Sequence, residues 1–120
     1  MPDSLSKVDK EKPDPCFLSE LYKLLENRQD EGQVEQSYTV KLMQEGLDSI
    51  LKKIVEETTE LVLAAKNLDH HEQVHEISDL CYHLLVLMVY HGIPLDDIQS
   101  ELKRRLGTSG IEEKKSRNLS

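Results

Sequence analysis

The chain has 120 residues, a formal net charge of −8 and 32% charged residues, which suits one small domain. The acidic balance excludes sequence-independent binding to nucleic acid, which needs neutralising cations, and binding to an anionic membrane surface. With no Trp and a single Phe, the core must consist of aliphatic side chains, and so small a core favours completion by a partner chain.

The terminal segment and the longest apolar run narrow the class of protein further. Residues 1–16 are polar and contain three of the four prolines, so we predict a mobile arm there and no signal peptide. The longest nearly apolar run, 80–90, is shorter than the roughly 20 residues that a membrane span needs. Cys81 lies in this run and is predicted to be a buried apolar side chain in a reducing, cytoplasmic compartment.

The first two predicted helices are marked by apolar spacing and by their caps. Apolar residues at helical intervals predict a helix over 17–30 that ends before Gly32. A short helix is predicted over 37–46, with Ser37 or Thr39 as its N-cap and Gly46 as its stop.

The next predicted helix has an acid in its apolar face. It extends from Ile50 to about Asn67, and Asp48 or Ser49 is its predicted cap. Residues at alternating intervals of four and three form one stripe along it: Ile50, Ile54, Glu57, Leu61, Ala64 and Leu68. Glu57 is the one charged member, and such local conflicts concentrate at functional sites.

Two more helices complete the predicted fold. One extends from the cap Asp69 to His91, is stopped by Gly92, and is apolar on nearly all sides beyond Leu80, so we expect it at the centre of a bundle shared with a second subunit. Pro94 opens the last helix. Its predicted inner stripe is Leu95, Ile98, Leu102 and Leu106. No strand-like alternation occurs, so the predicted fold is all-α, a four- to five-helix bundle over 17–106 with a polar, partly ordered tail over 107–120.

Acidic pairs on the two long helices predict a metal site. Residues 17–100 hold 16 acids against 6 bases. Glu57 and Glu60 are three residues apart on one helix, and Glu76 and Asp79 are three apart on the next, so an antiparallel hairpin would make all four carboxylates face one another. Their repulsion would be relieved by a hard divalent cation, Mg²⁺ or Mn²⁺. Protein-bound Mg²⁺ in turn favours a phosphate ester or anhydride as substrate. The alternative is that these acids are solvated and unrelated to any metal.

Four basic side chains near these acids have more than one interpretation. Lys53 precedes Glu57 by one turn, and it either binds a phosphate or pairs with that acid. Residues 71–75 read HEQVH, the pattern in which His71 and His75 bind zinc and the acid between them is the general base. We disfavour that interpretation, since the motif lacks a third ligand and follows a polar turn. His83 is interpreted as a packed, hydrogen-bonded histidine or as a group that orients Asp79.

At these acids the sequence resembles a known family. EETTE (56–60) followed by EISD (76–79) is similar to the ExxE…ExxD signature of the MazG-like all-α nucleoside triphosphate pyrophosphohydrolases. The segments SYTVKL (37–42) and SGIEEKKSR (109–117) make the resemblance closest to the phosphoribosyl-ATP pyrophosphatase family of histidine biosynthesis. The resemblance implies a MazG-type bundle completed by dimerisation, as a homodimer or a dimer of dimers. It also implies cleavage of a small phosphorylated nucleotide, phosphoribosyl-ATP, between its α and β phosphates.

The same resemblance implies roles for individual residues. Glu57, Glu60, Glu76 and Asp79 would be the Mg²⁺ ligands, and Glu56 would be a further ligand or would position the attacking water. The expected substrate contacts are Lys53, Lys66 and Asn67 for phosphate or ribose, and Lys41 and Arg117 for the second phosphoribosyl arm. The last two residues would otherwise dock their segments onto the bundle.

Three alternatives remain at this point. The first is a house-cleaning pyrophosphohydrolase for non-standard nucleoside triphosphates, which would use the same acids but would not need the 37–42 segment or the tail. The second is a non-enzymatic helical dimerisation module. The third is the disfavoured zinc protease.

Overall fold

The computed structural model describes residues 17–31, 37–106, 114–115 and 117. In that part of the chain the protein is all-α, with no strand, which confirms the predicted fold class. The helices are α1 (Phe17–Glu31), α2 (Tyr38–Glu45), α3 (Leu47–Lys66), α4 (His70–His91) and α5 (Leu95–Arg105). The predicted mobile arm, the stop at Gly32 and most of the predicted tail lie outside the described residues.

Most of the predicted caps are confirmed. The backbone N–H of Val40 donates to Ser37 Oγ at 3.3 Å, and that of Glu72 donates to Asp69 Oδ1 at 3.1 Å. Gly92 ends α4 in the left-handed conformation at φ 69°, which glycine adopts without steric cost. The predicted start of α3 is wrong: Gly46 at φ 104° both ends α2 and caps α3, so Asp48 lies inside the first turn.

The core is aliphatic and draws on four helices. Its buried members are Leu21, Leu25, Leu42, Met43, Ile50, Leu85, Val86 and Val89. The most extensive packing is between α3 and α4, which form an antiparallel hairpin joined at 67–69. This hairpin carries every acid of the predicted metal site.

The segment before α3 is fastened to α4 by polar side chains. Tyr38 OH donates to His83 Nε2 at 2.8 Å, while His83 Nδ1 donates to the backbone oxygen of Asp79 at 2.7 Å. The buried Thr39 hydroxyl is hydrogen-bonded to the Tyr82 hydroxyl. His83 is therefore the predicted packed histidine, and it contacts the backbone of Asp79 through this bond.

Two helices expose apolar faces that the sequence had suggested were buried. On α4, Ile77 is 48% exposed, Leu84 is 41% exposed and Cys81 is also exposed, so the prediction of a buried cysteine is wrong for this chain. The helices α1, α2 and α3 cover only one side of α4. On α5 no residue is fully buried. Leu95 packs against the core at the start of the predicted inner stripe, but further along it Ile98 is 41% exposed, Leu102 57% and Leu106 87%.

The end of the predicted α3 stripe is a second correction. Leu68 is 84% exposed, because it has left the helix for the turn, where its φ is 58°. The other members of the stripe stay on the inner face of α3, with Ile50, Glu57 and Ala64 buried.

No single helix among the described ranges is long and apolar enough to cross a membrane. The pair formed by α4 and α5 passes that test of length and composition jointly, but it is bent by 115°.

The cap of α4 gives a first testable prediction. Asp69→Ala should lower the free energy of unfolding by about 1 kcal/mol, because the Glu72 N–H loses its acceptor. Asp69→Asn is the matched control and should retain most of the stability, since Asn caps as well as Asp. Urea unfolding at one fixed protein concentration measures both, and equal losses in the two variants would contradict a capping role.

Candidate metal centre

Three acids from the two arms of the hairpin converge. Glu57 and Glu60 from α3 and Glu76 from α4 each offer a carboxylate oxygen, and these oxygens all lie within 4.8 Å of one another. The register explains the meeting: residues three apart share a helix face, and the short connection at 67–69 sets Glu76 beside Glu60.

Two of these acids are buried without full satisfaction. Glu57 and Glu76 are each only 7% exposed. In each of them Oε2 has no hydrogen-bond partner among the described residues. Charged oxygens that are removed from water without partners are destabilising, and native proteins leave few of them unexplained. The pair of unsatisfied oxygens indicates that this arrangement is built for a positively charged ligand.

The pKa of Glu76 reports the same crowding. It is raised from 4.5 to about 7, first by burial and then by Glu60 and Glu57, which hydrogen-bond its protonated form and repel its charge. Without a cation, therefore, the cluster keeps a proton near neutral pH. An all-oxygen donor set with buried, unsatisfied carboxylates fits a hard divalent ion.

Asp79 lies next to this trio but pairs with a histidine. Its Oδ2 is 3.3 Å from His75 Nε2. With His75 and Glu76 it forms a second group whose ligand atoms lie within 4.8 Å of one another. Three of the four predicted ligands thus converge directly, and the fourth joins them through Glu76. The ligand set itself stays a prediction.

Glu56 is outside the trio and is paired with a lysine. Lys53 Nζ donates to Glu56 Oε2 at 3.4 Å and lies 4.0 Å from Glu57 Oε1. Tyr38, the largest contributor, and Glu56 both raise the pKa of Lys53, so its ammonium group remains charged. Of the two interpretations of Lys53, the structure shows the ion pair with acids.

A cavity of about 340 Å³ opens beside Glu56 and carries three lysines. Lys41 and Lys53, both expected as substrate contacts, are in its wall, and so is Lys52, which sequence reasoning missed. The signal for Lys52 was present as the Lys52–Lys53 pair one turn before Glu56. The full lining is Tyr38, Lys41, Leu42, Glu45, Ser49, Lys52, Lys53 and Glu56.

A second cavity, of about 280 Å³, lies on the other side of the acids. Asn67 lines it together with Glu60 and Glu76, as a ribose or phosphate contact would require. Lys66 is exposed at the end of α3 and lines neither of these two cavities. Arg117 is exposed and helical, and most of the tail around it is outside the described residues.

The zinc-protease pattern is not assembled. His71 is exposed and belongs to no group of three possible ligands within the ranges that the structure covers. His75 is turned towards Asp79, so the two histidines do not form the paired ligands of that motif.

The fold and these acids define a class of protein. An all-α hairpin with ExxE on one arm and ExxD on the other, beside a lysine-lined cavity, is typical of the MazG-like pyrophosphohydrolases, which are hydrolases. Residues 18–106 match the family described as phosphoribosyl-ATP pyrophosphohydrolase. The chain belongs to that family.

Relatives from several bacteria agree with this assignment. A phosphoribosyl-ATP pyrophosphatase of Pelobacter propionicus is 54% identical over 71% of this chain and 79% of its own length. One of Geobacter metallireducens is 46% identical over 84% of this chain and 92% of its own. One of Methylococcus capsulatus is 47% identical over 85% and 96%, respectively. These matches cover between 79% and 96% of the relatives' own lengths.

The crowded acids give the second prediction. The pKa of Glu76 is higher in the folded protein than its ordinary value of 4.5. Its contribution to stability is therefore full below about pH 4.5 and is lost as pH rises through about 7. Glu76→Gln should raise the melting temperature of the metal-free protein at pH 8 by a few degrees and change it little at pH 5. Thermal unfolding in EDTA at both pH values measures this difference.

Glu20→Gln, on the exposed surface of α1, is the control for removal of one charge elsewhere. A gain at pH 8 that is equal in the two variants would show that net charge, not the cluster, is responsible.

Proposed function

We propose that the chain hydrolyses phosphoribosyl-ATP between its α and β phosphates, giving phosphoribosyl-AMP and pyrophosphate in the second step of histidine biosynthesis. The observation that carries the proposal is that Glu57, Glu60 and Glu76 converge in a chain that belongs to this family. The relatives named above are phosphoribosyl-ATP pyrophosphatases. The contact between acids and a basic cavity is the arrangement that a polyphosphate substrate needs.

Mg²⁺ is the proposed cofactor, with Mn²⁺ as the second choice, held by Glu57, Glu60, Glu76 and Asp79. The support is the donor set and the two unsatisfied oxygens of Glu57 and Glu76. When bound, such an ion neutralises phosphate charge and lowers the pKa of coordinated water. The contribution of the protein is to keep these carboxylates close together in a partly dry site, where the attraction for a cation is strong.

Glu56 is the proposed residue that positions the attacking water. It lies between the acid trio and the lysine cavity, half-buried, and Lys53 fixes its Oε2. We assign the other carboxylate oxygen to hold the water and take its proton, because an oriented carboxylate at this boundary can reach a phosphate bound on the cavity side.

The lysine cavity is proposed to bind the anionic parts of the substrate. Lys41, Lys52 and Lys53 supply positive charge where phosphate oxygens would lie. Asn67, in the second cavity, is proposed to contact ribose or phosphate on the opposite side of the acids. Lys66 and Arg117 keep their predicted substrate roles as proposals, supported by the family resemblance.

The choice of phosphoribosyl-ATP over a general nucleoside triphosphate depends on α2. A house-cleaning enzyme would use the same acids, but here α2 brings Lys41 into the cavity and is fastened to α4 through Tyr38 and Thr39. A segment fixed in this way supports recognition of an additional anionic group. The non-enzymatic alternative leaves the buried, unsatisfied acids without an explanation.

A homodimer, or a pair of dimers, is the proposed assembly. Val74, Ile77, Cys81 and Leu84 follow one another at helical intervals along the exposed side of α4. Ile98 and Leu102 of α5 are exposed as well. Apolar surface of this extent favours burial against a second copy. The cytoplasmic location predicted from the sequence stays a prediction.

Pyrophosphate release is the third prediction. With Mg²⁺ the protein should release pyrophosphate from phosphoribosyl-ATP faster than from a panel of nucleoside triphosphates, and EDTA should stop the reaction. Glu57→Gln should reduce kcat/KM by about 100-fold or more with the helical circular dichroism spectrum retained, because the cation loses a ligand. His71→Ala is the control and should keep nearly full activity.

Several results would contradict this proposal. Full activity in Glu57→Gln would contradict the metal assignment. Faster reaction with a non-standard triphosphate would favour the house-cleaning enzyme, and no release from any substrate by the folded protein would favour the dimerisation module.

The assembly gives the fourth prediction. Leu84→Asp should shift the molar mass towards that of a monomer, since it places a charge in the exposed stripe of α4. Gln29→Asp, which adds the same charge on the exposed surface of α1, should keep the wild-type mass. Light scattering after size-exclusion chromatography measures both, and an unchanged mass for Leu84→Asp would place the subunit contact elsewhere.

A further inference from the structure

The first turns of α4 place an imidazole at the edge of the acid cluster. His75 Nε2 is 3.3 Å from Asp79 Oδ2, one helical turn away. Glu76 supplies a third atom, and the three possible ligand atoms lie within 4.8 Å of one another. His71, which belongs to the same HEQVH pattern, is exposed and takes part in no such group within the described residues.

The separation of His75 and Asp79 suits two ligands of one small transition-metal ion. At bond lengths of 2.0–2.1 Å, two ligands of a tetrahedral zinc ion are about 3.3 Å apart. Both side chains are partly solvent-exposed, His75 by 59% and Asp79 by 40%, so small rotations can bring them to a common ion. Three protein ligands and one water are a usual zinc environment.

The burial of Glu76 is a second indication of a ligand beside the distances, and the two groups share it. It is 7% exposed, and its Oε2 has no hydrogen-bond partner in the part of the chain that the structure describes. A buried carboxylate held at the junction of two groups of ligands is available to a cation in either one.

We propose that His75, Glu76 and Asp79 form a binding site for a transition-metal ion of the Zn²⁺ type, next to the all-carboxylate group of Glu57, Glu60 and Glu76. The two sites differ in chemistry: an imidazole nitrogen raises affinity for Zn²⁺ far more than for Mg²⁺, which prefers oxygen. Glu76 lies in both groups, and Asp79 is also a proposed ligand of the hard ion, so Zn²⁺ in the mixed site withdraws two ligands from that ion. Zn²⁺ is therefore an inhibitor that competes with Mg²⁺, and this last step alone rests on the proposed function.

Zinc titration of the metal-free protein tests the site directly. Isothermal titration calorimetry with ZnCl₂ compares the wild type with His75→Gln, Asp79→Asn and the matched control His71→Gln. We expect His75→Gln and Asp79→Asn to weaken zinc binding by about tenfold or more and His71→Gln to leave it unchanged. Mg²⁺-induced thermal stabilisation should be the same in His75→Gln and wild type, which excludes a general loss of folding.

Two binding results would overturn the proposal. Equal zinc affinity in His75→Gln and wild type would leave His75 as an ion-pair partner of Asp79 only. Equal losses in the His75 and His71 variants would indicate adventitious binding to the histidines near the turn.

Activity separates the inhibitory step from the site. At fixed Mg²⁺, added Zn²⁺ should inhibit pyrophosphate release in the wild type and in His71→Gln, and higher Mg²⁺ should relieve the inhibition. His75→Gln should need about tenfold more Zn²⁺ for the same inhibition. Equal inhibition of His75→Gln and His71→Gln at the same Zn²⁺ concentration would contradict competition between Zn²⁺ and Mg²⁺ through His75. Absence of turnover in every variant would contradict the proposed function, whereas the calorimetric comparison would still decide the site.

Discussion

Glu57 and Glu76 are like charges buried against each other across the α3–α4 hairpin, and much of the structure serves to keep them there. Each is 7% exposed and has one oxygen without a hydrogen-bond partner among the residues that the structure describes. Repulsion between them opposes closure of the hairpin, so closure must be driven by the apolar side chains on the same two helices. Ile50 on α3 and Val86 on α4 are fully buried and belong to the common core. Hydrophobic packing thus stabilises a hairpin whose crowded acids are unfavourable by themselves.

A chain of hydrogen bonds couples the lysine cavity to the acid cluster. Tyr38 donates to His83, and His83 donates to the backbone oxygen of Asp79, so the start of α2 is tied to the turn of α4 that carries Asp79. Since α2 also carries Lys41, the same hydrogen bonds fix the position of this cavity lysine relative to the candidate ligands. The cavity lysine and the candidate ligands therefore depend on the same contact between helices for their positions.

Local chemistry made the helices predictable, whereas burial depended on surfaces that the sequence does not display. Ser37, Asp69 and Gly92 act within a few residues of themselves, so their caps could be inferred from residue type alone. The acid in the apolar stripe, Glu57, was detectable for the same reason. The exposure of Cys81 could not be predicted. An apolar helix indicates that its surface is covered, but not whether its own chain or another chain covers it.

The pairing of individual side chains also could not be predicted from the sequence. Spacing put Glu76 and Asp79 on one face of α4, but it could not tell that Asp79 pairs with His75 while Glu76 also meets the two acids of α3. That division follows from rotamers and from which helix lies opposite. Lys52 was missed for a similar reason, since α2 makes the facing wall of its cavity.

The two faces of α4 connect assembly with the site. The inner face carries Glu76, His83 and Val86, all buried, and the outer face carries Ile77, Cys81 and Leu84, all exposed. Residues on opposite sides of one helix cannot move independently, because the helix is a rigid body on the scale of a side chain. A partner that covers the outer face would therefore hold α4 against α3 and offset the repulsion between Glu57 and Glu76. In such an assembly, the apolar contact on the outer face of α4 would stabilise the contact between acids on its inner face.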